Sequence, residues 1–163
     1  MATAAVLTIS DSRSRGEAED LSGPAAAEIL GDMGLDVSCR KTIPDDLAAI
    51  QMETKALIDR VTLILTTGGT GIADRDVTPE AVSPLLDKTL PGFGEIMRTG
   101  SFAKTPLSII SRGAAGVAGR TLIVMLPGST KAVRDGLALL APAIKHVLKF
   151  LENQPVDCRR EAE

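Results

Sequence analysis

The sequence contains no tryptophan and no tyrosine, and Phe93, Phe102 and Phe150 are its only phenylalanines. Proteins that hold single-stranded nucleic acid stack bases on aromatic platforms, and duplex binders carry a basic field. Here 18 basic residues stand against 21 acidic ones, a net charge of −3, so nucleic acid is not the expected partner. His146 is the only histidine and lies off the apolar stripe of its helix. No Ser/His/Asp or Cys/His arrangement for acyl chemistry can be drawn. Cys39 and Cys158 are far apart, without metal-type spacing, and nothing supports a disulfide between them. No apolar run approaches the ~20 residues of a membrane span. The start, Met1-Ala2-Thr3-Ala4-Ala5, lacks the basic segment and apolar run of a secretory signal. A cytoplasmic protein with no membrane contact is expected.

What the chain does have is glycine in the right place. Thr66-Thr67-Gly68-Gly69-Thr70-Gly71 follows the β-branched run Val61-Thr62-Leu63-Ile64-Leu65 and precedes Asp74, Asp76 and Thr78-Pro79-Glu80. The order is strand, glycine-rich loop, helix start, with Thr78 as expected N-cap and Pro79 at the first helical position. Bare backbone lets amide N–H groups approach a phosphate, and the aspartates suit a hard cation such as Mg²⁺. The loop matches neither G-x-G-x-x-G nor a P-loop. Spacing alone leaves a phosphate cradle and a structural turn both open.

At 163 residues, 44% of them hydrophobic, the chain can bury a full core. We expect one domain over residues 1–152 and a polar tail over 153–163. Residues 4–10 form a buried first strand, followed by a mixed-charge loop with Arg13, Arg15, Glu17, Glu19 and Asp20, expected to be solvated. Gly23-Pro24 opens a helix closed by Gly31 or Gly34. Leu35, Val37 and Cys39 alternate with polar neighbours, as in an edge strand with one exposed face. Asp45 is placed to cap the next helix, whose stripe is Leu47, Ile50, Leu57 and Ile58. Pro84 interrupts the helix after the glycine loop.

Between Pro91 and Arg112 the pattern fits two short helices, with Phe93 and Phe102 expected in the core. Residues 114–118 and 121–126 flank Gly119-Arg120 as a hairpin, which adds an antiparallel strand. Leu126-Pro127-Gly128-Ser129-Thr130 is a second tight strand-to-helix turn, capped by Ser129 or Thr130. The last helix carries Val133, Leu137, Leu140, Ile144, Val147, Leu148 and Leu151 on one stripe, and Pro142 should kink or split it.

This alternation predicts a three-layer α/β/α, Rossmann-like domain with a mostly parallel mixed sheet and one antiparallel strand. Ligands of such sheets bind beyond the carboxyl ends of the strands. The loops expected there are Ser10-Asp11-Ser12, Pro44-Asp45, residues 66–76 and Pro127-Gly128-Ser129. Their hydroxyls, glycines and carboxylates suit phosphoryl or nucleotidyl transfer, where positioning and charge stabilisation carry most of the catalysis.

The glycine stretch, continued by Arg75-Asp76-Val77-Thr78-Pro79-Glu80, resembles the signature of the MogA/MoaB group of molybdenum cofactor biosynthesis proteins. Ile9-Ser10-Asp11, Ile43-Pro44-Asp45, Pro91-Gly92-Phe93-Gly94-Glu95 and Leu126-Pro127-Gly128-Ser129-Thr130-Lys131 resemble that family in the same order. The resemblance implies a MogA-like fold and a molybdopterin adenylyltransferase, a nucleotidyltransferase that uses Mg²⁺ and ATP to attach AMP to the terminal phosphate of molybdopterin. It implies Asp45 and Asp76 as the critical, metal-binding carboxylates. Gly68, Gly69, Thr70 and Gly71 would hold nucleotide phosphates, and Ser10, Asp11, Ser111, Pro127, Gly128 and Ser129 would help form the pocket. Asp74 falls on no stereotyped position and is left as solvated. Arg75 and Lys131 are open between a role at the transferring phosphate and plain solvation. A homotrimer and a molybdenum insertase partner are further implications. The alternatives are a silent molybdopterin-binding or scaffold homologue and a related nucleotide pyrophosphatase domain. The aspartates and the Arg-Asp-Val-Thr-Pro run favour activity, and relatives of the pyrophosphatase kind carry this domain within longer chains.

Overall fold

A computed structural model describes residues 2–153. In chain order the elements are β1 (Thr3–Ile9), α1 (Asp11–Ser14), α2 (Ser22–Asp32), β2 (Asp36–Ile43), α3 (Leu47–Leu57), β3 (Leu63–Thr67), α4 (Thr78–Val82), β4 (Lys88–Thr89), α5 (Pro91–Phe102), β5 (Ala115–Ala118), β6 (Thr121–Leu126) and α6 (Thr130–Leu151). Single 3₁₀ turns cover Ser83–Leu85 and Pro106–Ile110. The six strands form one sheet in the order β2-β1-β3-β6-β5-β4. β1, β2, β3 and β6 pair in parallel, while β5 runs antiparallel to both of its neighbours. The expected mixed sheet with one reversed strand is what forms.

Alternation along the buried strands sends side chains to two cores. Val6, Leu63, Leu65 and Leu126 pack with Leu30 of α2, Met97 of α5 and Leu137 and Leu140 of α6. Leu7, Ile64, Ile123 and Met125 pack on the other face with Ile50 of α3 and Ala81 and Val82 of α4. Helices on both faces make the sheet the middle of three layers. β2 is the edge, with the expected alternation of half-buried Val37 and Cys39 against exposed neighbours. At the far edge β4 has only two residues, too short for a pattern to reveal.

Several local expectations are corrected. Asp46, not Asp45, caps α3, accepting from Ala49 N at 2.8 Å. Thr78 is the first residue of α4 rather than its cap, and its hydroxyl donates to Gly68 O at 2.9 Å. Asp20 is not a solvated charge: its carboxylate accepts from Thr8 Oγ1 at 2.8 Å and from Gly23 N at 3.0 Å, holding the start of α2. Gly34, at φ +88°, is the left-handed residue after α2, and Leu35 N closes that helix end on Leu30 O. Phe93 is buried but Phe102 is exposed. α6 runs unbroken through Pro142, whose side chain is exposed, so the missing backbone donor lies on the solvent side. His146 is half-buried and packs edge-on against Phe150, away from the strand ends. Cys158 and nearly all of the expected tail lie outside the described residues.

Candidate active site

The sheet order turns back on itself between β1 and β3, and such a switch point leaves a crevice beyond the strand ends. The loops after β1, β2, β3 and β6 meet there around a cavity of about 370 Å³. Its lining includes Ser10, Asp11, Asp45, Gly68, Gly69, Thr70, Gly71, Asp76, Ser111, Pro127 and Gly128, so ten of those eleven come from four separate strand-end loops. Ser129 does not reach this cavity. It caps α6, accepting from Ala132 N at 3.1 Å, and faces a second cavity of about 230 Å³ between α5 and the start of α6. Leu107, Ser111 and Pro127 line both cavities, so the two adjoin.

The glycine loop is shaped by close approach. Gly68 has φ +110° and Gly69 φ +65°, and a Cβ on Gly68 would strike Ile9 O, while one on Gly69 would strike Thr78 Oγ1. Neither position accepts a side chain without rebuilding the loop. The loop is stitched to the second turn by Gly68 N to Leu126 O at 3.0 Å and by Thr67 Oγ1 to Pro127 O at 2.9 Å. The stitches fix the loop against β6 before any ligand arrives.

The carboxylates are held by backbone rather than by cations. Asp11 and Asp45 exchange bonds: Asp11 N donates to Asp45 Oδ2 at 2.8 Å, and Asp45 N donates to Asp11 Oδ1 at 3.0 Å. This is why Asp45 is not a cap, and it leaves Asp45 Oδ1 beside Gly69. Asp76 closes its own turn, with Ala73 N donating to Asp76 Oδ2 at 2.9 Å. Gly71 lies against that carboxylate, so Asp45 and Asp76 each flank one glycine of the loop. Burial pushes the Asp45 carboxyl above its ordinary value. The Asp11 amide and Arg75 oppose that shift, and the negative charges of Asp11 and Asp76 add to it.

Among the described residues Arg75 is the only basic side chain in the lining of the larger cavity. Lys131 is elsewhere: its ammonium bonds Asp135 Oδ2 at 2.9 Å and Thr105 Oγ1 at 3.1 Å at the rim of the second cavity. Asp74 is exposed and outside both linings. Ser12, from the first of the expected loops, lines the larger cavity too, and so do Leu107 and Ile110, which sequence reasoning passed over. The two apolar ones sit on a 3₁₀ turn with no helical stripe to mark them.

Three carboxylates against one arginine make a cavity that receives phosphate only with help from backbone dipoles or a cation. Among the described residues no group of three or more His, Cys, Asp or Glu side chains is arranged to cage a metal. Mg²⁺ commonly takes one or two carboxylates and completes its shell with water and substrate phosphate. Asp45 and Asp76, hard oxygen donors over bare backbone, fit that mode. Among the described residues no helix is long and apolar enough to cross a membrane.

A family model described as a probable molybdopterin binding domain matches residues 5–146. The chain is 39% identical over 150 residues to the molybdopterin adenylyltransferase of Helicobacter pylori, covering 90% of this chain and 85% of that protein. It is 42% identical over 161 residues to gephyrin of Dictyostelium discoideum, covering 92% of this chain but only 22% of that longer protein. Among solved structures, the molybdopterin biosynthesis enzyme MoaB of Thermus thermophilus superposes with a TM-score of 0.89 at 42% identity, over 96% of this chain and 100% of that one. Agreement over nine-tenths of the chain, in sequence and in fold alike, makes this protein a member of the MogA/MoaB family of molybdenum cofactor biosynthesis proteins.

Proposed function

We propose that the protein is a molybdopterin adenylyltransferase, moving AMP from ATP onto the terminal phosphate of molybdopterin with release of pyrophosphate. The observation that carries this reading is the seating of two carboxylates, Asp45 and Asp76, directly on the glycines of one bare-backbone loop inside one cavity. The relative from Helicobacter pylori, which bears that activity in its name, matches along most of its length.

The chemistry joins two phosphate anions, so the protein's task is to hold them in line and offset their charge. Amides of residues 69–71 hold the ATP phosphates while Gly68, its own amide spent on Leu126 O, shapes the loop, and Arg75 faces the transferring group. Ser10, Thr70 and Ser111 offer hydroxyls to the second phosphate, and the adjoining cavity beside Ser129 takes a ring system. Asp45 and Asp76 would hold Mg²⁺, which supplies charge neutralisation at the phosphates when bound. An oxygen of the molybdopterin phosphate attacks the α-phosphorus of ATP. The bond from that phosphorus to the β-phosphate oxygen breaks, and pyrophosphate leaves with the electron pair. A phosphate dianion brings no proton to remove, so a site without histidine suffices.

Residues 1–152 act as one domain in this reading, as a cytoplasmic homotrimer that hands its product to a molybdenum insertase. Light scattering reads the assembly. Incubation with molybdopterin, ATP and Mg²⁺ tests the activity, and absence of adenylylated pterin where a known relative works sinks it. Nucleotide cleavage without pterin would favour the pyrophosphatase alternative, and pterin binding without turnover the silent homologue. Full turnover in both Asp45→Asn and Asp76→Asn would overturn their assigned roles.

A further inference from the structure

Arg112 lines neither cavity, yet four of its bonds end on the glycine loop and its flank. Its backbone N donates to Thr70 O at 2.8 Å and its Nε to Gly71 O at 2.8 Å. One terminal nitrogen donates to Asp76 O, and the other pairs with the Glu80 carboxylate on α4. The segment carrying it is anchored in turn: Arg98 of α5 donates to Ser111 O at 3.2 Å and Gly113 O at 3.0 Å, on either side of Arg112.

We propose that Arg112 is a positioning residue for adenylyl transfer, a clamp that presents the loop's amides and the Asp76 carboxylate to the substrate phosphates. The inference rests on the function proposed above. In a trans peptide the N–H points opposite the preceding carbonyl. With the carbonyls of residues 70 and 71 turned onto Arg112, the amides of Gly71 and Ile72 turn the other way. Carbonyl oxygens, which would repel phosphate, are thereby consumed outside the cavity. The Asp76 carbonyl is tied by the same side chain, so loop and carboxylate share one anchor. Only a planar fork can reach Gly71 O, Asp76 O and Glu80 together, and the point charge of a lysine cannot.

Arg112→Lys separates this role from charge alone. We expect kcat to fall by about 10- to 100-fold, the scale set by a small misplacement of catalytic groups, with KM for molybdopterin changed less than about threefold. In the substrate-free protein, amides of residues 70–77 should exchange with solvent about tenfold faster than in wild type, with exchange in β1 and β6 unchanged. Glu80→Ala, at an exposed position, should shift both readouts the same way by a smaller factor. Arg112→Lys with wild-type kcat, or with unaltered loop exchange, overturns the clamp. Activity loss that merely tracks the unfolded fraction overturns it too. Wild type without adenylyl transfer counts against the proposed function alone, because the exchange readout needs no substrate.

Discussion

Gly71→Ala isolates the geometry of Asp76. Gly71 does not have the positive φ of Gly68 and Gly69, so alanine brings no backbone strain there. What it brings is a methyl group 2.6 Å from Asp76 Oδ2 and 3.3 Å from its Cγ. To restore ordinary contact the carboxylate must withdraw by about 0.8 Å, more than a rigid turn yields without loss. The bond broken is the one from Ala73 N, at 2.9 Å. A hydrogen bond to a charged group contributes about 1.5–3 kcal/mol net, and this half-exposed turn belongs at the lower end. Alanine's smaller unfolded-state entropy returns about 0.5 kcal/mol. The net cost is therefore about 1 kcal/mol, a Tm drop of about 2–4 °C for a chain of this size. Turnover should suffer far more, because displacing a catalytic group by nearly 1 Å costs about 100-fold. Thermal unfolding and adenylylation of molybdopterin measured on one preparation give both numbers. Unchanged turnover would refute the assignment of Asp76, and a Tm drop beyond about 10 °C would refute the local accounting.

Asp45→Asn should separate stability from function. Because burial raises the folded pKa, the folded protein favours the protonated carboxyl and the ionised form costs stability at neutral pH. Stability from this group is complete below the ordinary aspartate value of about 3.9 and is lost as pH rises through the raised folded value. Asparagine, always neutral, should raise Tm at pH 7, the difference should close in acid, and turnover should be lost; a lower Tm at pH 7 contradicts the sign. Thr78→Val removes a buried donor from Gly68 O and should cost about 1–3 kcal/mol, read by denaturant unfolding, with weaker ATP binding in calorimetry. Gly31→Ala lies within α2 with nothing near the added methyl, and should stabilise by about 0.5–1 kcal/mol without altering turnover.

The alternating strands, the glycine loop and the amphipathic last helix were legible because each is written in local periodicity. Asp45 and Asp46 were not separable in that way. Either can cap α3, and the choice falls to the bond between Asp45 and Asp11, 34 residues away. Thr78 misled for the same reason: it occupies a helix start, but its hydroxyl is claimed by a carbonyl ten residues back. Arg112 carries no local signal, since its acceptors are backbone oxygens on another loop. The openness over Lys131 resolves against a role in the larger cavity once Asp135, one helical turn on, takes its charge. β4 escaped because two residues set no period.

The stitching of the glycine loop to the turn after β6 bears on how the chain matures. β3 gains its second neighbour only when β6 arrives, and the bond from Thr67 to Pro127 spans 60 residues. Until then β3 is an open edge, and the loop lacks the Leu126 carbonyl that takes the Gly68 amide and the Pro127 carbonyl that takes the Thr67 hydroxyl. A nascent chain halted before residue 121 would hold Gly68, Gly69 and Gly71 with Asp45 and Asp76, yet would lack the cavity wall formed by Pro127 and Gly128. Competence to bind nucleotide should therefore appear late and all at once, as the final strand inserts beside β3.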